Sequence, residues 1–94
     1  MSIQQKIIDL IQSQLQPDYF DCINVSHQHQ GHSGDNGSGD THFQLIVVSD
    51  QFEGRTRILR HKAVMDVISC LFEEGLHAAS IKVYTNNEYK QRQS

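Results

Sequence analysis

Residues 57–84 read RILRHKAVMDVISCLFEEGLHAASIKVY, and two different periods meet inside them. From Ile58 through Val64, Val67, Ile68, Leu71 and Phe72 the apolar positions recur at helical spacing, which predicts a helix from about residue 57 to Glu74. Ile58-Leu59 sits slightly out of phase with the later stripe, so a separate short turn at the helix start stands as an alternative. Gly75 is placed to end the helix in the left-handed conformation that a Cβ would penalise. Residues 77–84 then alternate, with Ala79, Ile81 and Val83 on one parity and Ser80, Lys82 and Tyr84 on the other, as a strand requires. A strand reached through a helix crosses over right-handedly, so 77–84 should lie parallel to the strand before the helix.

That earlier strand is 41–49, where Phe43, Leu45 and Val47 alternate with His42, Gln44 and Ile46. Between it and the helix, Asp50-Gln51-Phe52-Glu53-Gly54 reads as a turn with Phe52 as its apolar anchor. Residues 19–27 are rich in aromatic and β-branched types and predict another strand, with apolar groups on both parities and its inward face left open. Gln30 to Asp40 holds four glycines, two aspartates, an asparagine and two serines, so 28–40 is expected to be a flexible loop joining two antiparallel strands. Upstream, Ile3, Ile7, Ile11 and Leu15 stand four apart and predict an amphipathic helix over 2–16, with Ser2 and Gln5 as a capping box and Pro17 as its stop. The polar tail from Thr85 to Ser94 is expected to make one helical turn and then fray. The order helix, strand, strand, helix, strand predicts an α+β domain spanning 1–94, a three-stranded mixed sheet with helices on one face.

Composition narrows the function classes. A chain of 94 residues buries only about 60–65% of its unfolded surface, so one core is the expectation. The longest apolar run is Leu45-Ile46-Val47-Val48, far short of the roughly 18–20 residues a membrane-spanning helix needs. The first residues carry no basic segment followed by an apolar stretch, so no signal peptide is read and a cytoplasmic location is expected. Cys22 and Cys70 stand in apolar contexts and are expected to be buried thiols rather than ligands. With no serine elbow, no phosphate loop and no paired carboxylates at helical spacing, the chain is not expected to be an enzyme.

Three constellations remain. Six histidines are several times ordinary usage, and His27, His29, His32 and His42 fall within sixteen positions. Imidazoles of this kind suit zinc, copper, nickel or iron, or else make a solvated polar stretch at a strand end. His77 follows the Gly75 terminator and precedes a strand, a junction where a histidine serves as a hydrogen-bonded structural residue or as a ligand. Net charge is −3, which argues against coating nucleic acid through overall charge, yet Arg55, Arg57, Arg60 and Lys62 lie within eight positions free of acids. Such a patch at a helix entrance suits phosphate, or is a solvated helix start whose like charges oppose the helix dipole.

Taken together, Ser26-His27-Gln28-His29-Gln30-Gly31-His32, Thr41-His42-Phe43, Val47-Val48-Ser49-Asp50-Gln51-Phe52-Glu53-Gly54, Arg60-His61-Lys62-Ala63-Val64, Leu76-His77-Ala78-Ala79-Ser80-Ile81 and Tyr84-Thr85 with Glu88-Tyr89 resemble the BolA family in matching order. The resemblance runs over nearly the whole chain from about residue 20. It implies a class II KH-like fold of αββαβ order. It further implies partnership with monothiol CGFS-type glutaredoxins in heterodimers sharing a glutathione-ligated 2Fe-2S cluster, for iron–sulfur trafficking or iron sensing. His77 maps onto the histidine that the family offers to the cluster, with a second ligand drawn from His29, His32 or His42. The alternative it implies is a DNA-binding transcriptional regulator of stress response, cell morphology and biofilm growth, contacting double-stranded DNA through Arg57, Arg60, His61 and Lys62. The chain departs from the family where the usual Arg-His-Arg is Arg60-His61-Lys62, where Val25 replaces an acidic residue, and where Thr85-Asn86-Asn87-Glu88-Tyr89 replaces a Thr-Pro-x-Glu-Trp tail. Self-association as a homodimer stays open.

Overall fold

The computed structural model describes residues 2–25 and 41–93. The loop expected over 28–40, and with it His27, His29 and His32, lies outside the described residues.

Helix α1 (Ile3–Gln14) starts where the Ser2 hydroxyl accepts the Gln5 backbone N–H at 3.1 Å. Only half of the expected capping box forms, because the Gln5 side chain turns forward to Asp9. The chain leaves α1 through Gln16, a non-glycine residue at φ 45, immediately before Pro17. Strand β1 (Tyr19–Asn24) is shorter than the expected 19–27, and it pairs antiparallel with β2 (His42–Val48). A 3-10 turn at Asp50–Phe52 follows, its Phe52 ring fully buried, and Gly54 reverses the chain at φ 78.

Helix α2 (Arg57–Ile68) is capped by the Thr56 hydroxyl, which accepts the Leu59 N–H at 3.2 Å. It is continuous from Arg57, so no separate turn precedes it; Ile58 and Leu59 are out of phase because they face solvent. The α-helical winding also ends earlier than the pattern suggested. The Ser69 hydroxyl donates to the Asp66 carbonyl at 3.0 Å, and the chain tightens into a 3-10 helix over Ser69–Glu74. That tighter turn places Leu71 in the core and leaves Phe72 partly exposed. It also turns Cys70 outward: Cys70 is exposed, and Cys22 on β1 is half-buried, so neither is the buried thiol expected. Gly75 ends the element at φ 121.

Strand β3 (Ala78–Tyr84) completes the sheet in the order β1-β2-β3 and pairs parallel with β2, as the crossover rule requires. Ile3, Ile7 and Ile11 of α1, Val64 and Ile68 of α2, and Phe43, Leu45 and Val47 of β2 form one core, with Phe52, Leu71 and Leu76 closing its margins. Phe20 and Cys22 pack against that core, which settles the inward face of β1.

The opposite sheet face carries a second, smaller cluster. Tyr19, Val48 and Tyr84 lie in register across the three strands. Helix α3 (Asn86–Gln93) lays Tyr89 over that row, its ring centroid 5.3 Å from Tyr19 and 5.7 Å from Tyr84. Val48 is thereby buried on the side away from the main core. The segment after Thr85 is thus a two-turn helix rather than one turn and a frayed end, and it adds a third helix to the expected αββαβ order.

Candidate functional site

The ends of β2 and β3 bring two histidines together. Leu76 is buried, and the His77 backbone N–H donates to the Thr41 carbonyl at 2.8 Å, so the residue after the Gly75 turn has a fixed direction. The same carbonyl accepts the Ala78 N–H at 3.1 Å. Thr41 is itself fully buried, and its hydroxyl shares a 2.8 Å hydrogen bond with His42 Nδ1. The rings of His42 and His77 then lie 5.4 Å apart between centroids and tilted by 45°. His42 is buried, whereas His77 is exposed. The pair is therefore layered, with a buried imidazole backed by a threonine hydroxyl and an outer imidazole open to whatever approaches the sheet end.

Two imidazoles are a sound partial donor set for iron or zinc, since neutral ring nitrogens bind both. Among the described residues no group of three or more His, Cys, Asp or Glu side chains gathers to hold a metal. The pair supplies two nitrogens only, too few for a closed site, so a metal held here would need donors from elsewhere.

The basic residues form a different surface. Of the eight lysines and arginines, Arg55, Arg57, Arg60, Lys82 and Arg92 line one groove of about 940 Å³ between the start of α2, the outer edge of β3 and α3. His61 lines it as well, while Lys62 points elsewhere and pairs with Asp66 at 2.9 Å across one helical turn. Arg60 is occupied. Its guanidinium meets both Glu88 carboxylate oxygens, at 2.6 and 3.3 Å, and also donates to the carbonyls of Arg55 and Val83. The Arg60 guanidinium holds the Glu88 carboxyl below its ordinary range, with a further contribution from the Thr85 N–H. Arg57 and His61 are exposed on the first turns of α2.

Several members of these sites have roles that the sequence reading did not assign, although Thr41 and Glu88 stand in the stretches that carry the family resemblance. Thr41 gives no pattern signal, because neither its carbonyl bonds to His77 and Ala78 nor its hydroxyl bond to His42 leaves a spacing in the sequence. Glu88 does have one. Thr85-Asn86-Asn87-Glu88 has capping-box spacing, and both reciprocal bonds form, Thr85 N–H to Glu88 at 2.9 Å and Glu88 N–H to the Thr85 hydroxyl at 3.2 Å. Lys82 and Arg92 join the groove only through the topology that sets β3 at the sheet edge beside α3.

The family model described as BolA-like protein matches residues 11–88. SufE-like protein 1, chloroplastic/mitochondrial, of Arabidopsis thaliana is 37% identical over 87 residues, which cover 88% of this chain and 24% of that protein. The DNA-binding transcriptional regulator BolA of Haemophilus influenzae is 30% identical over 90 residues, covering 96% of this chain and 84% of the relative. Among solved structures, the BolA domain of SufE1 from Arabidopsis thaliana superposes with a TM-score of 0.82 at 35% identity, over 94% of this chain and 96% of that one. The family match over most of the chain, a relative of near-equal length and the shared three-stranded architecture lead to one conclusion: the chain belongs to the BolA family.

Proposed function

We propose that this protein is a non-enzymatic partner of a monothiol glutaredoxin, taking a share of a glutathione-ligated 2Fe-2S cluster through His77 in the cytoplasm. The observation that carries this reading is the layered pair at the sheet end, an exposed His77 ring 5.4 Å from the buried His42 ring. His77 is the outer ligand. His42, backed by Thr41, either orients it or supplies the second nitrogen, the other candidates being His29 and His32. The cluster is cargo, and the glutaredoxin and glutathione bring the remaining thiolates. Imidazole in place of thiolate raises a cluster's potential, as in Rieske centres, which suits a centre used for sensing or transfer.

The test mixes the purified chain with a glutathione-ligated 2Fe-2S monothiol glutaredoxin and follows visible circular dichroism. Wild type is expected to change the spectrum, and His77→Ala, altered at an exposed ring, is expected not to. An identical change with both proteins would remove His77 as a ligand.

A second reading, DNA-binding regulation of stress response, morphology and biofilm growth, draws support from the Haemophilus relative's name and from the exposed Arg57 and His61. It draws less from Arg60 and Lys62, whose charges are held by Glu88 and Asp66.

A further inference from the structure

The cationic groove has a floor that phosphate recognition does not use. Among the described residues, strand β3 is the outer strand of the sheet, paired on one side only. Along a strand the N–H and C=O of one residue point to the same side, and the side alternates. The Tyr84 carbonyl faces inward, where it accepts the Ser49 N–H at 2.9 Å. The Val83 carbonyl faces outward, where it receives the Arg60 guanidinium at 3.4 Å. Ala79, Ile81 and Val83 therefore turn their backbone groups to the open edge, over about 13 Å at roughly 3.3 Å per residue. An edge of this kind is a template for one more strand.

The groove walls specify what that strand should look like. Lys82 projects on the outer face, with Arg92 beside it in the groove lining. On the other side of the edge stands Ile58, 79% exposed, next to the partly buried Ile81. Arg55 and Arg57 close the entrance. Among the described residues Glu88 is the one acid in the lining, and Arg60 pairs with it. The chain as a whole carries net charge −3, so this concentration of positive charge on one strand edge runs against its overall balance.

We infer that the β3 edge and the groove beside it bind an extended acidic peptide by strand addition, a segment of about five residues in which carboxylates alternate with apolar side chains. The carboxylates lie over Lys82 and Arg92, and the apolar residues lie against Ile58 and Ile81. A peptide strand matches both the N–H groups of the edge and the carbonyls of Ala79 and Ile81, the Val83 carbonyl being taken by Arg60, whereas a phosphate backbone can only accept. The exposed isoleucine among the cations likewise suits a peptide rather than a duplex.

The experiment titrates the full chain with an acetylated, amidated Glu-Val-Glu-Val-Glu peptide, following anisotropy and amide hydrogen exchange. A Glu-Glu-Val-Val-Glu peptide of equal charge and a short DNA duplex serve as competitors. The alternating peptide is expected to bind about tenfold tighter than the scrambled one and to slow exchange at Ile81 and Val83. The exposed substitutions Lys82→Glu and Arg57→Glu together are expected to weaken it by at least about tenfold, with unchanged far-ultraviolet spectra. Equal affinity for both peptides, or binding without protection of those amides, would overturn the inference in favour of simple charge attraction. Binding of the duplex through Arg57 and Lys82 with no peptide bound would overturn it in favour of a nucleic-acid surface.

Discussion

Glu88 joins two structures at one carboxylate, which makes its replacement a quantitative test of how α3 is held. In Glu88→Gln the amide oxygen still caps the Thr85 N–H, and only the charge facing Arg60 is removed. The Glu88 side chain is 45% exposed and that of Arg60 13%, so solvent screens the pair and its value belongs near that of a surface bridge, about 0.5–1 kcal/mol. Glu88→Ala removes the cap as well, about 1 kcal/mol more, for a total of about 1.5–2 kcal/mol. For a domain of this size 1 kcal/mol moves the melting temperature by about 4–8 °C, which gives about 2–8 °C for the glutamine variant and about 6–16 °C for alanine. Glu88 titrates below its ordinary value in the folded state, so its contribution is present above the unfolded carboxyl range and is lost as pH falls through the lower folded value. Thermal melts at neutral pH and in steps down to strong acid, together with an Arg60→Met cycle, measure this directly. A glutamine variant that melts with wild type at neutral pH, or a gap that persists in strong acid, would refute the reasoning.

Leu45 is fully buried between both helices and the sheet, so Leu45→Ala is expected to cost about 2–5 kcal/mol by urea denaturation, with an unchanged native spectrum. The Tyr19 phenol is held above its ordinary value, first by its hydrogen bond with Tyr89 and further by the nearby Asp21 carboxylate. Ultraviolet titration should accordingly show Tyr19 ionising late in wild type, and Tyr89→Phe should move it down.

The parts of the fold legible in the sequence are those where one face of an element meets the core. Ile3, Ile7 and Ile11 mark α1 by spacing alone, and Phe43, Leu45 and Val47 mark β2. Once the helix between the strands was read, the parallel pairing of β2 with β3 followed from handedness. β1 resisted because Tyr19 looks apolar in a pattern but belongs to the outer cluster under Tyr89, while Phe20 faces the core. The end of α2 resisted because a single serine hydroxyl, Ser69, redirects the last turn. Within the candidate site, the place of His77 at the helix-to-strand junction is legible in the sequence. The closeness of His77 to His42 is not, since it depends on the Thr41 carbonyl joining two strand ends far apart in the chain.

The small cluster beneath Tyr89 separates the cooperativity of the C-terminal helix from that of the main core. α3 rests on Val48, Tyr19 and Tyr84 and on the Arg60 bridge, whereas the eleven residues of the main cluster come from the rest of the chain. Undocking α3 thus forfeits a satellite cluster, one ion pair and the Asn86 hydrogen bonds to Asp50 and Asp18 while the main core keeps its contacts, the condition for a separate foldon that opens below the global unfolding free energy. Such an opening releases Arg60 from Glu88 and carries Arg92, whose guanidinium carbon lies 5.5 Å from the Tyr84 ring centroid, out of the groove with the helix. The docking of the last helix thus decides whether Arg60 is paired and whether the groove keeps its α3 wall.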